Sequence, residues 1–244
     1  MAHFLAIDIG NSRTKLGLFE NRELLQIHSL PNDVLSKNNS LFSEYEITAA
    51  IVSSVNTKAE KILELEKLHP ALVRLSHKTP LPITIDYETP DTLGKDRIAA
   101  VVGAQILFPQ KAILVIDAGT CVTYDFLTAK KSYLGGAISP GVQLRLNSLN
   151  HYTSQLPLIN WGQETRPKTI GNTTISSMIS GVVNGLIIEM QGFILDYKRQ
   201  FPDLKIVLSG GDANFFEKEL KNGIFADQNL VLKGLNEILI YNQN

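Results

Sequence analysis

Leu5-Ala6-Ile7-Asp8-Ile9-Gly10-Asn11-Ser12-Arg13-Thr14-Lys15-Leu16-Gly17-Leu18-Phe19 is the stretch that decides the fold of this chain. Apolar runs on both sides of a polar turn that contains glycine predict two strands joined by a tight turn. Asp8 therefore lies where the first strand ends, and a carboxylate there is costly unless it is paired, hydrogen-bonded or near a metal. Gly10 lets the backbone approach a ligand and direct its N–H groups toward an anion. The combination suits a metal-bound polyphosphate.

The same pattern recurs as Leu114-Val115-Ile116-Asp117-Ala118-Gly119-Thr120-Cys121-Val122-Thr123-Tyr124-Asp125-Phe126-Leu127, at a constant offset of 109 positions. Isoleucine, aspartate, glycine and threonine coincide at 7 and 116, 8 and 117, 10 and 119, and 14 and 123. These are the strand end, the carboxylate and the turn glycine that a phosphate-binding hairpin needs. The repeat predicts two related halves, residues 1–110 and 111–244, that face one cleft.

The composition is that of an ordinary globular protein. Of 244 residues, 44% are hydrophobic and 19% are charged, and one cysteine cannot form an internal disulfide. A net charge of −1 gives no reason to expect a nucleic-acid or anionic-membrane partner, since such proteins show a concentrated basic face. No uninterrupted apolar run is long enough to span a bilayer, and too few apolar residues precede Asp8 for a signal-peptide core. We expect a soluble, cytoplasmic protein that binds neither nucleic acid nor membrane.

Hydrophobic periodicity predicts further elements in both halves. In the first half we expect strands over 23–30, 47–52 and 71–75, a turn and helix start at 31–33, a helix over 58–68, a proline-bearing loop over 79–82 and a helix over 98–108. In the second half we expect a strand from 132 that ends in glycine and proline, a helix containing Leu144, Leu146 and Leu149, and an extended loop over 154–168. A long helix opens over 171–178, and a strand over 205–208 precedes a helix over 215–220.

Three sites in the sequence have two interpretations each. Asp96 lies at a helix N-terminus, where an aspartate either caps the helix and pairs with its dipole or points into the cleft, with Arg97 beside it to hold an anion. The hydroxyl-rich helix start at 172–174 is either simple capping or part of a binding site. Gly210-Gly211 is either an ordinary strand-to-helix turn or backbone placed close to a nucleotide. Cys121 is interpreted as a small buried strand residue rather than a nucleophile because no activating base lies beside it, and the scattered histidines predict no zinc site.

The chain has neither the phosphate loop of P-loop NTPases nor the Gly-x-Gly-x-x-Gly turn of dinucleotide-binding proteins. Two Asp-x-Gly hairpins and a Gly-Gly turn after a late strand resemble the actin, hexokinase and Hsp70 ATPase superfamily. The resemblance implies an α/β fold of two ribonuclease-H-like domains, with mixed sheets flanked by helices and the nucleotide in the cleft between them.

Within that superfamily the chain resembles the type III pantothenate kinases. The motifs that carry this resemblance cover nearly the whole chain and come in the family's order: Asp8-x-Gly10-Asn11-Ser12, Gly94-x-Asp96-Arg97, Asp117-x-Gly119-Thr120, Gly135-Gly136-x-Ile138-x-Pro140-Gly141, the Asn/Thr-rich helix start and Ser209-Gly210-Gly211. Lys95 departs from the family, because a small residue is common at that position.

The resemblance implies ATP-dependent phosphorylation of pantothenate, the first step of coenzyme A synthesis, with Mg²⁺ as the divalent metal. It places ATP on Asp8, Ile9, Gly10, Asn11, Ser12, Arg13, Thr14, Lys15 and Thr120. It places pantothenate on Tyr87, Gly94, Lys95, Asp96, Arg97 and Thr174, with Asp96 as the proton acceptor. Asp117 would bind a monovalent cation, K⁺ or NH₄⁺, and the protein would be a homodimer.

Two alternatives remain open at this point. One is a kinase for another small hydroxy acid or sugar, and the other is an ATP-binding regulatory protein that catalyses nothing. The presence of Asp96 and Arg97 together with both hairpins favours a kinase.

Overall fold

The structure is a computed structural model of the chain, and it describes residues 2–32, 44–55, 71–162, 165–220 and 223–243. The helix expected over 58–68 and the far end of the 31–33 turn lie outside the described residues. Two compact units are present: Met1–Pro109 with Lys131–Leu134 and Asn229–Asn244, and Gln110–Lys130 with Gly135–Gln228. The division of the chain after residue 110 remains a prediction, and the compact units differ from it in placing 131–134 and 229–244 with the first unit.

A five-stranded mixed sheet forms the centre of the first unit. Its strands are β1 (His3–Ile9), β2 (Arg13–Glu20), β3 (Glu23–Pro31), β4 (Ile47–Ser54) and β5 (Leu72–Arg74), in the order β3-β2-β1-β4-β5. The β1–β2 and β2–β3 pairs are antiparallel, whereas β1–β4 and β4–β5 are parallel. The strands predicted from the sequence over 23–30, 47–52 and 71–75 are confirmed as β3, β4 and β5.

A second mixed sheet repeats this order. Its strands are β6 (Thr84–Ile85), β7 (Ile113–Ala118), β8 (Cys121–Leu127), β9 (Ser132–Pro140), β10 (Lys205–Ser209) and β11 (Ile224–Ala226), in the order β11-β10-β7-β8-β9-β6. From β9 to β11 the order β9-β8-β7-β10-β11 corresponds strand by strand to β3-β2-β1-β4-β5. As in the first sheet, the hairpin pair is antiparallel and the two strands beyond it are parallel. The predicted duplication is thus confirmed in the topology of the sheets, which is the mixed α/β arrangement expected from the sequence.

Five helices flank the sheets in the described parts of the chain. They are α1 (Lys95–Leu107), α2 (Val142–His151), α3 (Thr174–Gln200), α4 (Ala213–Leu220) and α5 (Leu230–Tyr241), and a 3₁₀ turn at Pro90–Thr92 precedes α1. The helices expected over 98–108, around Leu146, from 171–178 onward and over 215–220 are confirmed as α1 to α4. The final helix was not predicted, although its apolar residues recur at helical spacing from Leu230 to Ile240.

Two glycines explain how closely α1 and α5 pack in the first unit. A Cβ on Gly234 would lie 1.7 Å from the carbonyl oxygen of Ala99, and one on Gly103 would lie 2.3 Å from that of Leu230. Since no side chain larger than hydrogen fits at either position, the two helix backbones are in direct contact. This contact joins the last helix of the chain to the helix that begins beside Asp96.

The core of the second unit is built around the inner face of α3. Val183, Leu186, Ile187 and Met190 are fully buried there and pack in one cluster with residues of β7, β8 and β10. By length and composition alone α3 could also cross a membrane, but this is weak evidence because core helices of folded domains pass the same test. The burial of these four residues accounts for its apolar character.

A polar network joins α2, α3, β8 and β9 at the edge of this core. Arg145 pairs with the carboxylate of Glu189 and also donates to Ser139, while the Tyr124 hydroxyl donates to Glu189 at 3.0 Å. Burial of the Glu189 carboxylate raises its pKa, but hydrogen bonds from Arg145, Ser139 and Tyr124 outweigh this and hold the pKa below its ordinary value. Burial, with the charge of Glu189 beside it, raises the pKa of the Tyr124 hydroxyl, which therefore donates as a neutral phenol.

Candidate active site

The first Asp-x-Gly turn joins β1 to β2. Asp8 is the register partner of Lys15, Ile9 is the partner of Thr14, and the Gly10 N–H donates to the Arg13 carbonyl at 3.0 Å. All eight residues predicted to bind ATP from residue 8 to residue 15 are thus brought together around one turn. The side chains at 11, 12 and 13 are exposed and Asp8 is half-buried at the strand end, whereas Ile9 and Thr14 are fully buried.

Arg13 lies along the sheet. Its Nε donates to the Ser29 hydroxyl at 3.0 Å and its Nη2 donates to the Ser29 carbonyl at 2.7 Å. These bonds fix the exposed guanidinium beside the turn on β3. A cation held at that position adds positive charge next to backbone N–H groups, which favours an anionic ligand.

Asn32 is a residue of this turn that sequence reasoning missed. Its side-chain Nδ2 donates to the carbonyl oxygens of Gly10 at 2.9 Å and Asn11 at 3.1 Å. Its backbone N–H donates to the Ser12 carbonyl at 3.1 Å. No sequence pattern indicates this contact, because two strands separate Asn32 from the turn along the chain and asparagine after proline is equally typical of any loop.

The segment that leads into α1 carries the predicted acceptor-site residues of the first unit. Tyr87 is half-buried, and its ring lies 6.0 Å from that of Tyr133. It lines an open pocket of about 610 Å³ with Ile85, Asp86, Glu88, Thr89 and Leu134. The pocket follows β6, whose pairing with the start of β9 fixes its wall.

Asp96 is not the N-cap of α1. Gly94 occupies that position without a side-chain cap, and Asp96 lies in the first turn, where its Oδ1 accepts the Arg97 N–H at 2.9 Å. A Cβ on residue 94 would lie 2.6 Å from this oxygen, so glycine leaves room for the carboxylate. The carboxylate therefore benefits from the helix dipole, as one of the two sequence interpretations expected. Arg97 is buried beside it, and Lys95 is half-buried.

The second Asp-x-Gly turn joins β7 to β8. Asp117 is paired in register with Thr123 on one side and Ser209 on the other, and the Gly119 N–H donates to the Cys121 carbonyl at 2.9 Å. Asp117 is half-buried and Thr120 is exposed. The aspartate and the turn glycine have the same places as in the first turn. The second turn is one residue shorter, since the Gly119 N–H donates to the second residue after it, whereas the Gly10 N–H donates to the third.

Two later glycines pack against this second turn. A Cβ on Gly141 would lie 2.1 Å from the Gly119 carbonyl oxygen, and one on Gly210 would lie 2.3 Å from that of Ala118. Gly210 also has a φ of 94°, which residues with side chains rarely adopt. The fold thus brings the motifs at 135–141 and 209–211 to the Asp117 turn. This proximity could not be predicted, because the motifs are far apart in the sequence.

The start of α3 separates the two threonines that the sequence left ambiguous. Thr173 is the N-cap: its hydroxyl accepts the Ser176 N–H at 3.1 Å, and the Ser176 hydroxyl accepts the Thr173 N–H at 2.9 Å. Thr174 follows as the first helical residue and is exposed. The capping interpretation therefore holds for Thr173, and the assignment of Thr174 to the substrate stays a prediction.

No group of three or more histidine, cysteine, aspartate or glutamate side chains that could hold a metal occurs among the described residues. The predicted residues from 8 to 15, Tyr87 and 94 to 97 belong to the first unit, and Asp117, Thr120 and Thr174 belong to the second. Each unit thus carries one strand-end aspartate followed by a glycine turn.

Comparison with known sequences places this chain in a family. Residues 4–196 match the sequence model of the family described as type III pantothenate kinase. The chain is 45% identical over 239 residues to a type III pantothenate kinase of Phocaeicola vulgatus, with 98% of each chain covered. It is 44% identical over 239 residues to one of Bacteroides fragilis, again with 98% of each chain covered.

Solved structures show the same fold at lower identity. A Campylobacter jejuni protein described as a Baf family transcriptional activator is 23% identical, with a TM-score of 0.65 and coverage of 98% of this chain and 99% of that one. The polyphosphate/ATP-glucomannokinase of Arthrobacter is 14% identical, with a TM-score of 0.53 and coverage of 99% and 100%. At such identities the likeness shows the fold alone, which is the mixed α/β arrangement described above.

Proposed function

This chain belongs to the type III pantothenate kinase family and phosphorylates pantothenate with ATP in coenzyme A biosynthesis, and we propose that Asp96 is the proton acceptor. The observation that supports the proposed phosphate-binding residues is the repeated hairpin, with Asp8 before one glycine turn and Asp117 before the other. Phosphoryl transfer requires mainly alignment of the hydroxyl and neutralisation of phosphate charge, and paired phosphate-binding turns supply both.

The residues from Asp8 to Lys15, together with Thr120, hold ATP. The turn at 11–13 is exposed, so its backbone N–H groups and side chains are accessible to phosphate oxygens, with Arg13 fixed beside them. Ile9 and Thr14 are fully buried and act through their backbone and their packing. Lys15 lies across from Asp8 in the hairpin and adds positive charge at the strand end.

ATP and a divalent metal are the cosubstrate and cofactor of this family. Mg²⁺ is commonly held by one or two carboxylates together with substrate phosphates, and the single half-buried carboxylate of Asp8 suits that coordination. When bound, the metal would neutralise charge on the phosphates. We assign to Asp8 the orientation of the metal.

Pantothenate is contacted by Tyr87, Gly94, Lys95, Asp96, Arg97 and Thr174. Tyr87 lines an open pocket, and the Asp96 carboxylate is held in place by the Arg97 N–H at the start of α1. Asp96 accepts a hydrogen bond from the primary hydroxyl of pantothenate and takes its proton as transfer proceeds. The buried guanidinium of Arg97 pairs with the substrate carboxylate or with the transferring phosphate.

The remaining parts of the proposal rest on the family resemblance. Asp117 binds a monovalent cation, K⁺ or NH₄⁺, and two copies of the chain form a homodimer in the cytoplasm without nucleic acid or membrane as partner. The modest net charge of −1 is compatible with a small-molecule enzyme of this kind.

A coupled assay for ADP formation tests the activity. The purified protein is given ATP, Mg²⁺ and K⁺ with pantothenate or with a panel of other hydroxy acids and sugars. We expect rapid turnover with pantothenate and little with the other acceptors. Preferred turnover of another acceptor would replace the substrate, and ATP binding without turnover of any acceptor would favour the regulatory alternative.

A further inference from the structure

Asn32 makes three hydrogen bonds to the ATP-binding turn. Its Nδ2 donates to the carbonyls of Gly10 and Asn11, and its backbone N–H donates to that of Ser12. The carbonyl oxygens of all three residues of the turn are thus held by one asparagine.

The orientation of the Asn32 amide is fixed by its partners. Carbonyl oxygens only accept, so the NH₂ group must face Gly10 and Asn11, and the amide oxygen then accepts the Thr14 hydroxyl at 2.9 Å. Thr14 is fully buried, so its hydroxyl is committed to this bond. Asn32 is therefore held on both sides of its amide and cannot turn without breaking three hydrogen bonds.

The direction of the carbonyls determines the direction of the N–H groups. In a trans peptide the C=O and N–H point in opposite directions, and no cis peptide is present in the described residues. The carbonyls of Gly10 and Asn11 point to Asn32, so the N–H groups of Asn11 and Ser12 point away from it. These are two adjacent donors directed to the same side, an arrangement that binds anions.

We propose that Asn32 is a positioning residue that sets the 10–12 turn in its phosphate-binding conformation before ATP arrives. The inference rests on the proposed function in that it takes this turn as the phosphate site. If the turn is already ordered, less of the free energy of ATP binding is needed to order it, so ATP binds more tightly. Thr14 contributes to ATP binding through Asn32.

The test compares two asparagines of the same unit. Asn32→Ala removes the amide from the turn, whereas Asn242→Ala removes an amide that also donates to two backbone carbonyls, those of Pro80 and Ile238, at the end of α5. The affinity for Mg-ATP is measured directly by calorimetry, and KM is measured separately for ATP and pantothenate. Thermal unfolding of each variant shows that it is folded.

We expect Asn32→Ala to weaken ATP binding about tenfold, the effect of losing one or two net hydrogen bonds, with the KM for pantothenate unchanged. Asn242→Ala should leave both constants unchanged. If Asn32→Ala does not fold, Asn32→Gln, which moves the amide one bond further from the turn, should show the same selective loss.

Equal effects on ATP and pantothenate, equal effects of both variants, or ATP affinity unchanged in Asn32→Ala would overturn the role of Asn32. Since ATP binding is measured without an acceptor, these results are distinct from failure of the proposed function. That failure would be a wild-type protein that binds ATP but does not phosphorylate pantothenate, or one that binds no ATP at all.

Discussion

At the scale of single residues, Asp117 has a position equivalent to that of Asp8 but a different proposed ligand. Asp117→Asn keeps the size of the side chain and removes its full negative charge, so we expect a weaker dependence on a monovalent cation. Turnover is measured in K⁺, in Na⁺ and in cation-depleted buffer for both proteins. Equal activity of the wild type in all three buffers would show that Asp117 has another role.

Glu189 predicts how stability depends on pH. Its pKa is held below the ordinary value in the folded protein, so its contribution to stability is complete above the unfolded pKa of about 4.3 and is lost as pH falls through the lower folded pKa. In Glu189→Gln this contribution is absent at every pH. The free energy of unfolding in urea should therefore differ most between the two proteins near neutral pH, and the difference should shrink below about pH 4. A difference that is constant with pH would show that the Arg145 pair does not stabilise the charged carboxylate.

The residue roles show where sequence reasoning reaches its limit. Asp8, Gly10 and Asp117 could be recognised because a strand end, a carboxylate and a glycine are adjacent in sequence, and the structure places each of them at such a turn. Asn32 could not, because its contact with the turn depends on how β3 ends beside β2. Thr173 and Thr174 look alike in sequence, and the hydrogen bonds of the helix cap are what tell them apart.

At the scale of elements, β8 and β9 are in contact through a glycine. A Cβ on Gly136 would lie 1.6 Å from the Tyr124 carbonyl oxygen, which belongs to the backbone and cannot rotate away. Gly136→Ala should therefore separate the two strands and lower the free energy of unfolding by about 3 kcal/mol or more.

A matched control lies on α3. Nothing lies within 4 Å of a Cβ on Gly192, which is exposed in the helix, so Gly192→Ala should raise the free energy of unfolding by about 0.5–1 kcal/mol. Urea unfolding of both variants measures the two changes. If both substitutions changed the free energy of unfolding in the same direction, the close contact between β9 and β8 at Gly136 would be contradicted.

Elements with a strong period were predicted well, and those defined by contacts were not. The strands β1 to β5 and the helices α1 to α4 follow from local apolar patterns within the described residues. β6 and β11 were not predicted; they have two and three residues, and each is defined by its pairing with a neighbouring strand. The close packing of Gly103 and Gly234 likewise depends on α1 and α5 meeting, which no local pattern shows.

At the scale of the whole molecule, the duplicated strand order accounts for the duplicated Asp-x-Gly turns. Each sheet ends its central strand in an aspartate and turns through a glycine, first at Asp8 and again at Asp117. The repeat at an offset of 109 positions was therefore enough to predict two related halves and the pair of turns, whereas the fold class was predicted from the resemblance to the superfamily.

The central claim is that this protein transfers phosphate from ATP to pantothenate with Asp96 as the base. The measurement that tests it most directly is pantothenate-dependent ADP formation by wild type and by folded Asp96→Asn. Asp91→Asn is the control, because Asp91 is an exposed carboxylate of the same segment that pairs with His77 at 3.5 Å.

Asparagine keeps the hydrogen bond to the Arg97 N–H but has no proton affinity, so we expect Asp96→Asn to lose about 10²–10⁴-fold in turnover while ATP binding and folding persist. Asp91→Asn should turn over as the wild type does. Near-normal turnover by Asp96→Asn would contradict the account and leave Asp96 as a partner of the helix dipole.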